Sequence, residues 1–551
     1  MASHSEFVLA ANGSELGRAP EPRGSNFRFD ALVSLLIFLL CLSYLLVFRR
    51  FSSIEPDEGI ILQGATRILA GQVPYRDFFT FYTPGSFYLL AGLFAVFGNT
   101  LAVARISLAV IGALCSVVTY LLARRVCSPS ISVFVALLAT LAGTAFRFMV
   151  LHNYYSTLLA CIAVYALVRL VETQSSGWAF ATGSLVALTS IFEQSKGGGL
   201  GVGVFLALVL LEIEQRVFPM RRLVLIMAGV LWPFVAVFAY FSAQHASSEM
   251  IASWFWPIRH YTVANHVPYG WQNWSEKSRE AIFATGPAAI RVVKAIAISP
   301  GIVVAVLPLL AVGLLIYWTA QLRKQKIGAS YYVAVCSSLV GLLISIVITR
   351  ADILHFMYLA PLWYVVLAWG LGSPVRPQLL LARIRPLLMA YVAAAFGMLG
   401  LAVLLATTGA HREVQTRRGA ITTSEEDTVI AYVQAHSQSG SRLLVYPYLP
   451  LYNYLTATTS PSRYDFFQAG MNTSEQAQEI IESLKRNRSP VLLEPRFAEK
   501  FANSWPETPL NAIASDAVSD YIVRNYHTCK VLGSPEGWRF EYMVPRTVTC
   551  D

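Results

Sequence analysis

Just beyond the first apolar run the chain reads Glu55-Pro56-Asp57-Glu58-Gly59, then Pro74-Tyr75-Arg76-Asp77-Phe78-Phe79 and Tyr82-Thr83-Pro84-Gly85. A carboxylate pair beside a membrane face has the chemistry of a general base, held where a lipid-linked substrate would lie. Further polar groups fall at the ends of other apolar runs: Arg147, His152 and Asn153; Glu193, Gln194 and Lys196; Arg350, Asp352 and His355. If those ends share one side of the membrane, the groups meet in a polar cavity, because ionisable side chains at membrane depth are costly when scattered. Carboxylates, cations and an apolar surround suit the transfer of a sugar from a lipid phosphate. The carboxylate takes the acceptor's proton, and the cations, Lys196 and Arg350 foremost, meet the departing phosphate.

The elements that must hold these groups are membrane helices. Of 551 residues 55% are hydrophobic and only 13% charged, about half the charge share of soluble domains, and mean hydropathy is +0.53. About eleven spans are expected, near 31–49, 100–123, 129–146, 152–171, 178–194, 199–215, 223–243, 301–320, 331–349, 356–372 and 387–408. Residues 87–97 are apolar but too short to cross and read as an interfacial helix. The run at 31–48 lacks a charged start and cleavage site, so it reads as an uncleaved anchor.

Arg124-Arg125, Arg216 with Arg221-Arg222, Arg323-Lys324 with Lys326, and Arg376 with Arg383 and Arg385 fall in alternate connections. The positive-inside rule puts these and the N-terminus in the cytoplasm, against the single exception Arg49-Arg50. Residues 1–30 read as a disordered cytoplasmic segment and 31–409 as the membrane domain, with outer loops 50–99 and 244–300. Residues 410–551 read as an extracytoplasmic α/β domain. A net charge of +10 is explained by these basic connections and calls for no nucleic acid. The expected setting is a cell inner membrane.

Each candidate has an ordinary reading beside the chemical one. An Asp-Glu pair is commonly a solvated loop feature, and Asp77 beside Arg76 commonly a local ion pair rather than a substrate contact. Lys196 precedes Gly197-Gly198-Gly199, which reads either as a helix break with a snorkelling lysine or as a phosphate contact; Walker spacing is absent. Arg350, Asp352 and His355 read as a cap on two helices or as a phosphate site, and His152 as an interfacial histidine or a substrate contact. Trp254, Trp256, Trp271 and Trp274 fit an aromatic belt, with sugar stacking as the rival. Five of the seven cysteines lie in or beside apolar runs. Cys529 and Cys550 can pair if the tail lies outside the cytoplasm, which the sequence does not settle. No spacing marks a metal site, and a need for a divalent cation is left open.

The Asp-Glu pair after the first span, the Gly71 to Phe79 stretch (Gly-x-x-Pro-Tyr-x-Asp-Phe-Phe) and the Tyr-x-Pro-Gly that follows resemble the C-type glycosyltransferases. Within them the chain is similar to bacterial relatives of protein O-mannosyltransferases and of lipid A aminoarabinose transferases. Arg350-x-Asp352-x-x-His355, and Val445-Tyr446-Pro447-Tyr448 followed by Tyr452-x-Tyr454-Leu455-Thr456, carry the same likeness. The resemblance implies an α-helical polytopic fold and Asp57 as catalytic base, with Glu58 its partner or the second candidate. It also implies inverting transfer from a polyprenyl-phosphate sugar to a protein, lipid or glycan acceptor at the outer face. Tyr75, Asp77, His152, Lys196, Arg350, Asp352 and His355 are the expected substrate contacts. A transporter or flippase of a lipid-linked glycan is the rival, though the internal symmetry usual in transporters is not evident. A non-catalytic scaffold acting through its tail is the third reading.

Overall fold

The computed structural model describes residues 27–215, 219–261, 265, 267–269, 286–324, 328–372, 379–409, 412–468, 471–497, 516–533 and 538–550. Trp271 and Trp274 lie outside them. Among the described residues eight helices are long and apolar enough to cross a membrane, and four apolar helices are shorter. The chain is a multi-pass membrane protein. In order the first helices are α1 (Phe27–Leu46), α2 (Pro56–Leu69), α3 (Gly85–Phe97), α4 (Leu101–Ala123), α5 (Pro129–Ala139), α6 (His152–Thr173), α7 (Ser176–Phe192) and α8 (Gln194–Gln215). Then come α9 (Met220–Ala243), α10 (Ser247–Arg259), α11 (Ala288–Arg323), α12 (Ala329–Thr349), α13 (Ile353–Tyr358), α14 (Ala360–Gly372) and α15 (Leu379–Thr408). The shorter apolar helices Pro129–Thr144, Ser176–Phe192 and Ala360–Gly372 stand where three of the expected spans were placed, and Gly85–Phe97 where the interfacial helix was. Helix α11 begins well before the expected 301.

Small residues let the membrane helices close on one another, as lipid-soluble helices need when no hydrophobic force drives them together. A Cβ on Gly199 would stand 2.4 Å from the Gly341 carbonyl oxygen, and one on Gly203 2.5 Å from that of Ser337. The run Gly197 to Gly199 lies within α8 and breaks no helix; Gly197 packs on Ser190 of α7 and Gly199 on α12.

The connection expected as an acidic loop is mostly helical. Pro56 opens α2 at its first turn, where its fixed φ and missing N–H cost nothing, and Asp57 and Glu58 stand in that turn, favoured by the helix dipole. The C-terminal part is mixed α/β. Strands β1 (Arg412–Thr416) and β2 (Gly419–Thr423) form a hairpin. A four-stranded sheet follows in the order β3 (Leu444–Tyr446), β4 (Val491–Leu493), β6 (Arg539–Pro545), β5 (Tyr526–Gly533). Strand β3 runs parallel to β4, and the other pairs are antiparallel. The same part holds helices α16 (Thr428–His436), α17 (Leu451–Thr456), α18 (Ser474–Asn487) and α19 (Ala517–Asn525). Cys529 and Cys550 form a disulfide.

This part is not a detached tail. One hydrophobic core contains Ile60, Ile61 and Leu62 of α2, Phe87 and Leu90 of α3, and Leu451, Leu455 and Tyr446 of the C-terminal part. Backbone bonds cross the seam: Ser52 N–H to Thr422 O at 2.8 Å, Phe79 N–H to Arg463 O at 2.9 Å, Leu101 N–H to Arg418 O at 3.1 Å. Arg67 and Asp465 add a buried ion pair at 2.9 Å. At Gly59 the two backbones touch: a Cβ there would lie 2.1 Å from the Leu451 nitrogen. Only glycine allows α17 to rest on the first turns of α2.

Candidate functional site

A cavity of about 340 Å³ opens where α2, the α5–α6 connection, the α7–α8 junction, the start of α13 and the C-terminal part converge. That is within the size range of small-molecule sites. Asp57 lines it and Glu58 does not. Neighbouring residues on a helix point about 100° apart, so a consecutive pair cannot share one face. Asp57 turns to the cavity with its side chain 36% exposed. Glu58 turns inward, 2% exposed, against Arg105. Arg105 Nε donates to Glu58 Oε1 at 3.0 Å and its Nη2 to Oε2 at 2.6 Å, while the Val150 N–H donates to Oε1 at 2.9 Å. Glu58, expected as the partner of Asp57 or the second candidate, ties α2 to α4 and to the chain before α6 and does not line the cavity.

A carboxylate that the sequence did not single out, Glu55 before Pro56, lines the cavity beside Asp57. Arg147 Nη2 donates to Glu55 Oε2 at 2.8 Å and to Asp57 Oδ2 at 3.2 Å, and its Nη1 to the Tyr358 hydroxyl at 2.7 Å. One guanidinium thus orients both acids. The Tyr448 hydroxyl donates to the other Asp57 oxygen, Oδ1, at 3.3 Å.

The same cavity is lined by Arg350, Asp352 and His355. Asp352 caps α13, accepting from the His355 N–H at 3.0 Å and meeting His355 Nδ1 at 2.7 Å, while its other oxygen takes the Arg350 Nε. Burial alone would raise the Asp352 carboxyl, but His355 and Arg350 outweigh it and hold it well below the usual carboxylate range. Asp352 is therefore an anion that aligns two nitrogen-bearing side chains, with the His355 Nε2 edge left outside its grasp. This geometry suits an anion such as a phosphate.

Lys196 does not line the main cavity. It lies buried, where Nζ donates to Glu193 Oε2 (2.8 Å), the Asn153 carbonyl (2.9 Å), Ser156 Oγ (2.8 Å) and Thr157 Oγ1 (3.1 Å). With four partners it braces Glu193, itself a cavity residue, and the expectation of a direct phosphate contact is not what the side chain's position offers. His152 does line the cavity, its ring 4.4 Å from that of Tyr82. Tyr75 is buried away from it, donating to the Tyr82 carbonyl and accepting from Trp254 Nε1, each at 2.9 Å. Asp77 pairs with Arg76 at 2.8 Å and accepts the Val73 N–H at 2.7 Å, so it closes a turn. These two expected contacts support the loop and do not face the cavity. Trp256 stacks on Phe81 within the structure, at 5.2 Å.

Phe497 and Trp538 from the C-terminal part complete the wall near Asp57. Among the described residues the one cluster of His, Cys and acidic side chains close enough to share an ion is His527, Cys529 and Cys550, none of which lines this cavity and whose two sulfurs form the disulfide.

A model of the dolichyl-phosphate-mannose-protein mannosyltransferase family matches residues 82–240. No curated protein matches the chain in sequence. Among solved structures it is similar to ArnT from Cupriavidus metallidurans bound to undecaprenyl phosphate, at TM-score 0.50 and 12% identity over 94% of this chain and 97% of that one. The same protein in the apo state matches at TM-score 0.50 and 13% identity, over 95% and 98%. The oligosaccharyltransferase of Archaeoglobus fulgidus gives TM-score 0.48 and 11% identity over 95% and 74%. The likeness to ArnT runs through the membrane helices and the C-terminal part alike, and the chain has the C-type glycosyltransferase fold.

Proposed function

We propose that the protein is an inverting glycosyltransferase that moves a sugar from a polyprenyl phosphate to an acceptor hydroxyl at the extracytoplasmic face of a cell membrane. The observation that carries this reading is a single cavity lined by the Asp57 carboxylate together with Arg350 and His355. Undecaprenyl phosphate bound to ArnT, a protein of the same fold, supports a lipid phosphate as donor.

In this reading the acceptor hydroxyl gives its proton to Asp57 as its oxygen bonds to the anomeric carbon. The bond from that carbon to the phosphate oxygen breaks on the opposite face, and its electron pair leaves with the polyprenyl phosphate. Arg350 and His355 meet the charge that develops there, a term that counts most in a water-poor site. Arg147 keeps the base aimed, and Glu55, Glu193 and His152 are left to hold sugar or acceptor hydroxyls. The donor is a hexosyl or pentosyl lipid.

The test is a panel of radiolabelled polyprenyl-phosphate sugars offered to the protein in membranes that lack it otherwise. Transfer of label to a lipid, protein or glycan fraction is expected from at least one donor. Movement of a lipid-linked glycan across proteoliposomes, with no transfer from any donor, would favour the transporter reading instead.

A further inference from the structure

The base proposed above lies on α2, yet half of its immediate setting comes from a segment of chain nearly four hundred residues away. Asp57 Oδ2 is taken by Arg147, and Oδ1 accepts the hydroxyl of Tyr448, which leaves β3 just ahead of α17. The ring that carries this hydroxyl is itself fixed. It is buried, packs edge-on to Phe466 with centroids 5.7 Å apart, and lies 6.1 Å from Phe497. The backbone beyond it is pinned too, because Pro450 and Leu451 rest directly on Gly59, two residues after Asp57. Burial, and then the Asp57 charge, push the Tyr448 phenol well above its ordinary range, so it remains a donor throughout the working pH range.

Resting on that reading, we propose that Tyr448 is a positioning residue for the reaction. Its hydroxyl sets the rotation of the Asp57 carboxylate, so that the oxygen facing the acceptor is presented at a fixed angle and the C-terminal part is an integral wall of the active site. A carboxylate held from one side only, by Arg147, swings about its terminal torsion, which is soft for an sp³–sp² bond. Reaction rates fall steeply with such misplacement of a base, whereas donor affinity rests in this reading on Arg350 and His355.

The test is Tyr448→Phe, which keeps the buried ring and removes one oxygen. In purified protein given a transferable donor, kcat is expected to fall about ten- to a hundredfold with the donor KM within about twofold. An unchanged kcat, or a fall in kcat matched by a loss of donor binding, overturns the proposal. The contact is also tested without turnover, by unfolding midpoints of wild type, Tyr448→Phe, Asp57→Ala and the double variant in mixed micelles. Non-additive effects are expected, since each single change breaks the same bond, and strict additivity overturns the proposal. If wild type transfers nothing from any donor, the glycosyltransferase reading fails by itself and this cycle still decides whether Tyr448 holds Asp57.

Discussion

Glu58 and Asp57 are adjacent carboxylates with opposite assignments, and replacing Glu58 by Gln separates them. Glutamine keeps an oxygen for the Val150 N–H but removes the charge opposite Arg105, whose side chain is 1% exposed. Breaking a buried pair by removing one partner costs about 3–5 kcal/mol, because the remaining charge stays desolvated. Here the lower end applies, about 3 kcal/mol, since the amide oxygen still accepts one bond and Arg105 also reaches the Phe51 carbonyl. At about 1.4 kcal/mol per decade that lowers the folded-to-unfolded ratio roughly a hundredfold. The assay is the unfolding midpoint in mixed micelles beside transfer per mole of folded protein. A lower midpoint with near-wild-type specific transfer is expected. Pairing the change with Arg105→Leu should recover about 1–3 kcal/mol relative to the sum of the two single effects. A Glu58→Gln protein as stable as wild type but unable to transfer would refute the reasoning and return Glu58 to the chemistry.

Three other outcomes follow from the same geometry. Arg350→Ala should raise the donor KM about ten- to a hundredfold, the cost of a lost charge-assisted bond, with Arg350→Lys in between; equal KM values in a donor titration would remove Arg350 from the phosphate. Asp352 is held below its unfolded value, so its stabilisation is complete above about pH 4 and is lost as pH falls through the lower folded value. The midpoint difference between wild type and Asp352→Asn should therefore shrink as pH falls below about 4. Cys529→Ser with Cys550→Ser opens a disulfide that spans 21 residues, costing the C-terminal part about 3 kcal/mol; faster proteolysis of that part, with transfer by intact protein unchanged, is expected.

Much of the architecture is legible in the sequence because lipid imposes long apolar runs, and the mixed α/β character of the C-terminal part shows in its alternating segments. The polar groups at the run ends were likewise readable as candidates for one cavity. Less legible was which member of a pair faces it. Asp57 and Glu58 look equivalent in a loop, and only their place in the first turn of α2 turns one to the cavity and the other to Arg105. Lys196 has the right charge and depth, but Glu193 three residues earlier in the chain, with Asn153, Ser156 and Thr157, claims its ammonium. Tyr75 and Asp77 are absorbed by the turn they close. Glu55 carried a weak signal, a third acid immediately before the proline that starts a helix. Tyr448 carried none toward Asp57, because a contact across 391 residues leaves no mark on local pattern.

The most direct test of the central claim is Asp57→Asn in purified protein supplied with its donor. Asparagine keeps the shape and can still accept from Tyr448, but it cannot take a proton at neutral pH. The account predicts that folding and donor binding stay near wild type while transfer falls by about a hundred- to ten-thousandfold, the usual share of a positioned base. Turnover by Asp57→Asn close to that of wild type would contradict it.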